Sequence, residues 1–169
     1  MSAFFQTLER QPEYIHTLLN PLPIYGLAIS WIGLVIAFLL GSRPAQITTL
    51  IVLLASAASA WPVYEFGEGG YDRVLSMSDD SGRAWLDEHQ HRAEQLILFF
   101  YALAGLSAMA IALPIKWPKT STPLVIAALL LGLTVLVMSG YIAYAGGKIR
   151  HKEFRTEPAP PPRKTGEQS

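Results

Sequence analysis

The chain has 169 residues, of which 51% are hydrophobic and 15% are charged, and 13 basic residues balance 13 acidic ones. This length fits a single domain, and the lack of a basic excess argues against nucleic-acid binding. The sequence contains no cysteine. Disulfides, thiolate metal sites and iron–sulfur clusters are therefore excluded.

The first segment, residues 1–21, has apolar side chains at helical spacing, interrupted by Pro12. This pattern predicts a helix in the membrane interface ahead of the first spanning helix, and a loosely ordered leader is the alternative. A cleavable signal peptide would have a basic start and an earlier, shorter apolar run. We therefore interpret the apolar run that begins at Leu22 as a retained helix.

Four apolar stretches lack Asp, Glu, Lys, Arg and His, at 22–41, 45–64, 95–114 and 123–147. Each meets the roughly 20 helical residues that a hydrocarbon core about 30 Å thick requires. Small residues recur along every stretch at a spacing that lets helices approach closely within lipid. The sequence predicts an all-α, integral membrane four-helix bundle over 22–155, with both termini on the same side.

The polar connection 65–94 follows the second stretch. Its three glycines predict a turn soon after helix two, and the N-cap candidates near Asp80 predict that helix three spans about 82–114. The chain after helix four, 156–169, is rich in proline and polar residues, and this composition predicts disorder. The glycines are Gly67, Gly69 and Gly70.

The four crossings would place all four histidines and all 13 acidic residues on one face of the membrane. The short turns on the other face, 42–44 and 115–122, carry only Arg43, Lys116 and Lys119. By the positive-inside rule, the larger total of Lys and Arg residues on the histidine face makes that face cytoplasmic. Counted per residue of short loop, the cations are denser on the opposite face, which makes the histidine face extracytoplasmic. A ligand would bind on the face that collects the histidines and carboxylates.

The start of helix three suggests a metal site. Glu88, His91 and Glu94 are spaced by three residues and share one helix face, and Glu-x-x-His is the spacing of carboxylate-bridged di-metal sites in helical bundles. Acidic residues near the end of helix two and a histidine after helix four could complete the ligand set. The predicted divalent-metal ligands are Glu65, Glu68, Glu88, His91, Glu94 and His151.

A b-type haem would instead need two histidines on different helices, and His89 or His91 paired with His151 forms the candidate pair. His89 and His91 are two residues apart, so on a helix they point to nearly opposite sides. His16 lies far out in the leader and is set aside. The alternative interpretation is a solvated helix face with local ion pairs, such as Glu88 with Arg92.

Transport is disfavoured, because ionisable residues are missing from the apolar stretches and Pro62 and Pro114 fall near predicted helix ends. The sequence indicates no catalytic residues, and we favour a protein without independent catalytic activity. A structural or interaction module without a cofactor is the alternative to a haem- or metal-binding one.

Three segments of 20–155 resemble a family of small bacterial inner-membrane proteins that is known as a domain of unknown function: NPLPIYGLAIS, WLDEHQHRAE and SGYIAYAGGKIRH. Members of that family have four helices, a His-Pro opening, a histidine motif before helix three and a Gly-Gly motif with a histidine after helix four. Asn20 and Tyr25 stand where that opening has histidines, so a site built from those would be missing. The ending GGKIRHKE also differs from the commoner GGxLVYxHG form.

The resemblance implies a multi-pass protein of the bacterial inner membrane. The short turns of such proteins tend to be Arg-rich, which favours an extracytoplasmic histidine face. Some members look like accessories of respiratory or cytochrome systems, so the resemblance implies a haem- or metal-binding accessory role. The implied partners are the lipid bilayer and either a membrane complex or a second copy of the chain.

Overall fold

The computed structural model describes residues 11–161. Its four long helices are α1 (Pro12–Leu39), α2 (Arg43–Ser76), α3 (Asp80–Lys116) and α4 (Pro118–Arg150), and each is long and apolar enough to cross a membrane. The described chain is therefore all-α with four candidate spans, as predicted. A short 3₁₀ turn, Lys152–Phe154, follows α4.

Prolines interrupt the first two helices. In α1 the helix Pro12–Leu19 is separated from Leu27–Leu39 by a turn and a π-helical segment, Leu22–Gly26. In α2 a break at Ser59 separates Arg43–Ala58 from Ala60–Ser76. Proline has no N–H to donate to the carbonyl one turn earlier, and Pro21, Pro23 and Pro62 lie at these interruptions.

The four helices pack in a ring, because α1 and α3 each contact both α2 and α4. Leucine, alanine and valine side chains fill the interior, and Leu34, Leu53 and Leu103 are fully buried. Ser30, Ser107 and Ser139 are also buried and donate hydrogen bonds to carbonyls of their own helices. These small residues keep the helix axes close without leaving a hydroxyl unsatisfied.

The outer surface of the apolar part is itself apolar. Ile29, Leu98 and Val137 are each at least 68% exposed. In water such an apolar surface would be unfavourable, whereas lipid tails would solvate it. The exposed side chains thus agree with the four candidate spans.

The connection after helix two differs from the prediction. The turn predicted at Gly67, Gly69 and Gly70 is wrong, because α2 continues as a helix to Ser76. Helix two therefore runs well beyond the predicted 45–64, and Pro62 lies inside it. The third helix begins at Asp80, within two residues of the predicted start.

The helix predicted ahead of helix one is present as Pro12–Leu19, and the helical chain resumes at Leu22, where helix one was predicted to begin. α4 ends at Arg150 rather than near 147. Contrary to the predicted disorder of 156–169, residues 156–161 make defined contacts: Glu157 pairs with Lys148. Ala159 packs against the cluster formed by Trp85, Leu86, Ala145 and Ile149. Residues 1–10 and 162–169 lie outside the described part of the chain.

Arg43 lies at the end of the bundle that contains the α1–α2 turn. Its side chain replaces a backbone hydrogen bond that is missing from α3. Pro114 lies inside α3 and cannot donate to the carbonyl of Ala110. Arg43 Nη2 donates to that carbonyl at 2.7 Å. The guanidinium therefore replaces the missing helical hydrogen bond in a region where an unpaired carbonyl is costly.

We expect Arg43→Ala to lower the free energy of unfolding by about 1–3 kcal/mol, because it leaves the Ala110 carbonyl unpaired. Pro114→Ala restores a backbone donor, so Arg43→Ala should cost less in that background. Unfolding in detergent micelles of the two single variants and the double variant measures the coupling. Lys119→Ala, at an exposed cation of the same end, is the matched control, and strictly additive effects would contradict the pairing.

Candidate cofactor site at the polar end of the bundle

The other end of the bundle is polar, and four segments meet there: the helix Pro12–Leu19, the α2 extension Ala60–Ser76, the start of α3 and the end of α4. We call this region the polar end. It is where the sequence placed the histidines and carboxylates, although the segments that build it differ from those predicted.

Glycines of α2 allow the helix Pro12–Leu19 to fold back against it. A Cβ added to Gly70 would lie 2.8 Å from backbone atoms of Glu13, and one added to Gly67 would lie 2.8 Å from His16 Nδ1. Any side chain at either position would push the two helices apart. Each helical glycine costs about 1 kcal/mol relative to alanine, and here the close contact between helices offsets that cost.

A cavity of about 660 Å³ lies between these four segments. This volume falls within the range of small-molecule and cofactor sites, about 300–1,000 Å³. A smaller cavity of about 70 Å³ adjoins it on the bundle side and is lined largely by apolar residues such as Ile97 and Phe100. His16 and His89 line both cavities and so mark their junction.

The rings of His16 and His89 come from different helices and form a T-shaped pair. Their centres are 6.2 Å apart and their planes are nearly perpendicular, at 88°. His16 Nδ1 lies 2.7 Å from the Val63 carbonyl oxygen, and His89 Nδ1 lies 3.0 Å from that of Ile142. Since a carbonyl only accepts, each Nδ1 donates, and each Nε2 carries a free lone pair.

Glycines also set the position of the second histidine. A Cβ at Gly146 would lie 3.1 Å from the ring of His89. Gly67 stands against His16 in the same way. Each histidine is thus held between a glycine and a backbone carbonyl, which fixes the orientation of its ring.

His89 and His151, one of the predicted haem pairs, both line the larger cavity. The ring in contact with His89 is that of His16, which was not in the predicted set and is brought there by the packing of the helix Pro12–Leu19 on the α2 extension. His151 lies exposed at the cavity rim, 3.0 Å from Glu153 and stacked on Phe154. His91 lies outside both cavities, with Nδ1 4.0 Å from Glu94.

The predicted metal ligands are dispersed. Glu88 pairs with Arg92 at 2.7 Å, Glu68 accepts a hydrogen bond from Tyr64, and Glu65 and Glu94 are exposed. Within residues 11–161, no group of three or more His, Asp or Glu side chains could hold a metal ion. The structure therefore does not assemble the set Glu65, Glu68, Glu88, His91, Glu94 and His151.

A signal for His16 was present in the sequence. Glu13, His16, Thr17 and Asn20 are polar and follow the spacing of one helix face, and all four line the larger cavity. A polar stripe opposite the apolar residues of the leader predicts a helix with two different neighbours. Apolar spacing alone had suggested only an interfacial helix.

Residues 155–161 form a strap that fixes the end of α4. Arg155 donates to the carbonyls of Lys148 and Ile149, each at 2.7 Å, and pairs with Asp79 at 2.9 Å. Lys148 is 1% exposed, forms an ion pair with Glu157 and lies over the rings of Trp85 and Tyr144. The strap thus satisfies late carbonyls of α4 and holds the segment that carries Gly146 against α3.

Comparison of the chain with protein-family models, with curated proteins and with solved structures finds no match. The geometry of the polar end therefore carries the functional argument.

The strap should loosen in acid. The hydrogen bond from Arg155, followed by that from the Gly82 amide, lowers the pKa of Asp79, and Lys148 lowers the pKa of Glu157. Carboxyls with lowered pKa favour the docked state above their ordinary pKa, and this contribution is lost as the pH falls through the lowered value. A spin label at Pro161→Cys should be immobilised at neutral pH and become mobile as the solution is acidified below pH of about 4.

Glu157→Gln provides the control for this titration. The variant lacks the carboxylate that pairs with Lys148, so the label should be more mobile already at neutral pH and respond less to acid. A label that stays immobile in Glu157→Gln, or that shows no acid transition in the parent chain, would contradict the role assigned to the ion pairs.

Proposed function

We propose that this chain is a multi-pass protein of the bacterial inner membrane that binds one b-type haem between His16 and His89. It would serve as an accessory of an electron-transfer system. The observation that carries the proposal is the histidine pair: two imidazoles from different helices, 6.2 Å apart, at the junction of two cavities.

The separation of the rings favours ligands on opposite sides of a metal. Metal–imidazole bonds are about 2.0–2.1 Å long, so two trans ligands place their ring centres roughly 6 Å apart, whereas a tetrahedral angle would bring them to roughly 5 Å. The observed 6.2 Å leaves room for a metal between the two rings, and His16 and His89 would hold the iron of a haem there.

The hydrogen bonds of the two rings suit metal ligation as well. Histidine ligands commonly donate their second ring nitrogen to a carbonyl or carboxylate, which fixes the tautomer and orients the ring. Val63 and Ile142 supply such carbonyls here. Each Nε2 is then unprotonated and able to bind iron.

The surroundings match an amphipathic macrocycle. The inner cavity offers Ile97, Phe100 and other apolar side chains to the porphyrin ring. Arg150 lines the larger cavity, and its guanidinium would pair with a haem carboxylate. A haem held there would supply one-electron redox chemistry, and His16 and His89 would bind its iron.

The polar ends of all four helices would lie at one membrane surface, with both termini on that side. The resemblance described above favours the extracytoplasmic surface. A cofactor at this depth lies near the aqueous boundary and within reach of a membrane-complex partner. Fusion of a reporter that is active only in the cytoplasm to the C-terminus tests this orientation, and the reporter should be silent.

Purified protein supplied with hemin should show the absorption spectrum of low-spin, six-coordinate haem. His16→Ala and His89→Ala should each abolish that spectrum, leaving high-spin haem or none, because each removes one axial ligand. The matched control is His91→Ala, on the same helix as His89 but outside the cavities, and it should leave the spectrum unchanged.

The angle between the rings allows a second check. Nearly perpendicular imidazole planes produce a strongly anisotropic low-spin ferric signal in electron paramagnetic resonance, whereas parallel planes produce a rhombic one. We expect the anisotropic signal. A protein that binds no hemin in detergent or lipid would overturn the proposal and favour the interaction module without a cofactor.

A further inference from the structure

We infer that the helix Pro12–Leu19 is a hinged lid that opens to admit the cofactor and carries His16 into place when it closes. This inference rests on the proposed function for the identity of the ligand. It assigns the two histidines different roles: His89 belongs to the fixed wall of the site, and His16 to the movable one.

The lid forms one complete wall of the larger cavity. Its residues Glu13, His16 and Thr17, with Asn20 at its end, line the cavity at the spacing of one helix face. The remaining walls come from α2, α3 and the end of α4. Movement of the lid alone would therefore open the cavity along its whole length, while the other three walls stay packed.

The connection between the lid and the bundle has the features of a hinge. Asn20 and Pro21 form a turn, and the π-helical segment Leu22–Gly26 follows. Pro23 within that segment is buried, and its carbonyl lies 3.3 Å from the hydroxyl of Ser139 on α4. The bundle thus holds the chain at Pro23, and the turn just before it would be the point about which the lid rotates.

Among the described residues, the lid packs chiefly against one neighbour, the α2 extension Ala60–Ser76. None of the lid residues, Pro12–Leu19, is buried. At the contact with the α2 extension, Glu13 forms an ion pair with Arg73 at 2.9 Å. The second oxygen of Glu13, Oε2, is buried without a hydrogen-bond partner among the described residues. The closed position therefore carries an unsatisfied acceptor, and opening would relieve its cost.

The structure supplies a direct way to lock the lid. A Cβ built at Gly69 would lie 3.4 Å from the Cβ of Pro12, close to the 3.5–4.5 Å typical of disulfides. The natural chain has no cysteine, so the double variant Pro12→Cys/Gly69→Cys would contain a single possible disulfide. Gly69 is exposed, which gives oxidant and reductant access to it.

The experiment compares the oxidised and reduced double variant in detergent, with the two single-cysteine variants as controls. The oxidised form should bind hemin at least tenfold more slowly than the reduced form. Protein loaded with hemin before oxidation should keep an unchanged spectrum and release hemin to apomyoglobin at least tenfold more slowly. Equal rates of hemin binding and release in the oxidised and reduced forms would overturn the proposal of a lid.

A variant that lacks the ion pair between Glu13 and Arg73, which we call the latch, tests the same motion without a crosslink. Arg73→Gln removes the ion pair to Glu13, so hemin binding and release should both become severalfold faster while the spectrum of the complex stays the same. Arg83→Gln, which changes an arginine of α3 outside both cavities, should leave these rates unaltered. Loss of the low-spin spectrum in Arg73→Gln would mean that the arginine shapes the site instead, and would count against the latch.

Hydrogen exchange separates failure of the lid from failure of the proposed function. If the parent protein binds no hemin, the haem proposal falls, but the motion can still be measured on backbone amides of residues 12–19. Exchange of these amides at least tenfold faster in the reduced double variant than in the oxidised one supports a lid that opens. Equal exchange in the two forms would overturn it whatever the ligand.

Discussion

The close contact between the helix Pro12–Leu19 and α2 is the constraint on which the polar end depends. Gly67 and Gly70 have no side chain to separate the helices, and a Cβ at either would lie 2.8 Å from atoms of the leader. This contact places His16 within 6.2 Å of His89 and closes one side of the 660 Å³ cavity. A wider separation would leave His89 without a partner histidine and the cavity open to water.

Side chains that bond backbone carbonyls recur through the bundle. Arg43 completes the hydrogen bonding of Ala110, Trp31 donates to Leu129, and Arg92 donates to Tyr141 on the neighbouring helix. Within a lipid environment a carbonyl group would have no water to hydrogen-bond with. Such side-chain bonds would therefore fix the position of one helix along the axis of its neighbour. His16 and His89 also donate hydrogen bonds to backbone carbonyls, and these bonds fix the orientation of the two imidazole rings.

The sequence was informative where local physics decides the outcome. Four apolar stretches of spanning length predicted the four helices, and the N-cap near Asp80 predicted the start of α3. It misled at Gly67–Gly70 because a glycine's cost within a helix is local, whereas the contact with Glu13 that offsets it comes from a distant segment. The pairing of His16 with His89 depends on that contact, and no spacing within helix three or helix four could reveal it.

The two sides of the cavity are held by different kinds of contact. At the end of α4, Arg155 bonds two helix carbonyls and Asp79, while Lys148 is buried against Trp85 and Tyr144. The leader, by contrast, buries none of its residues from Pro12 to Leu19. In the proposed site, these contacts would keep His89 and Gly146 in place with or without a ligand. Only His16 would then move, and the cost of ordering the site on binding would fall mainly on one short helix.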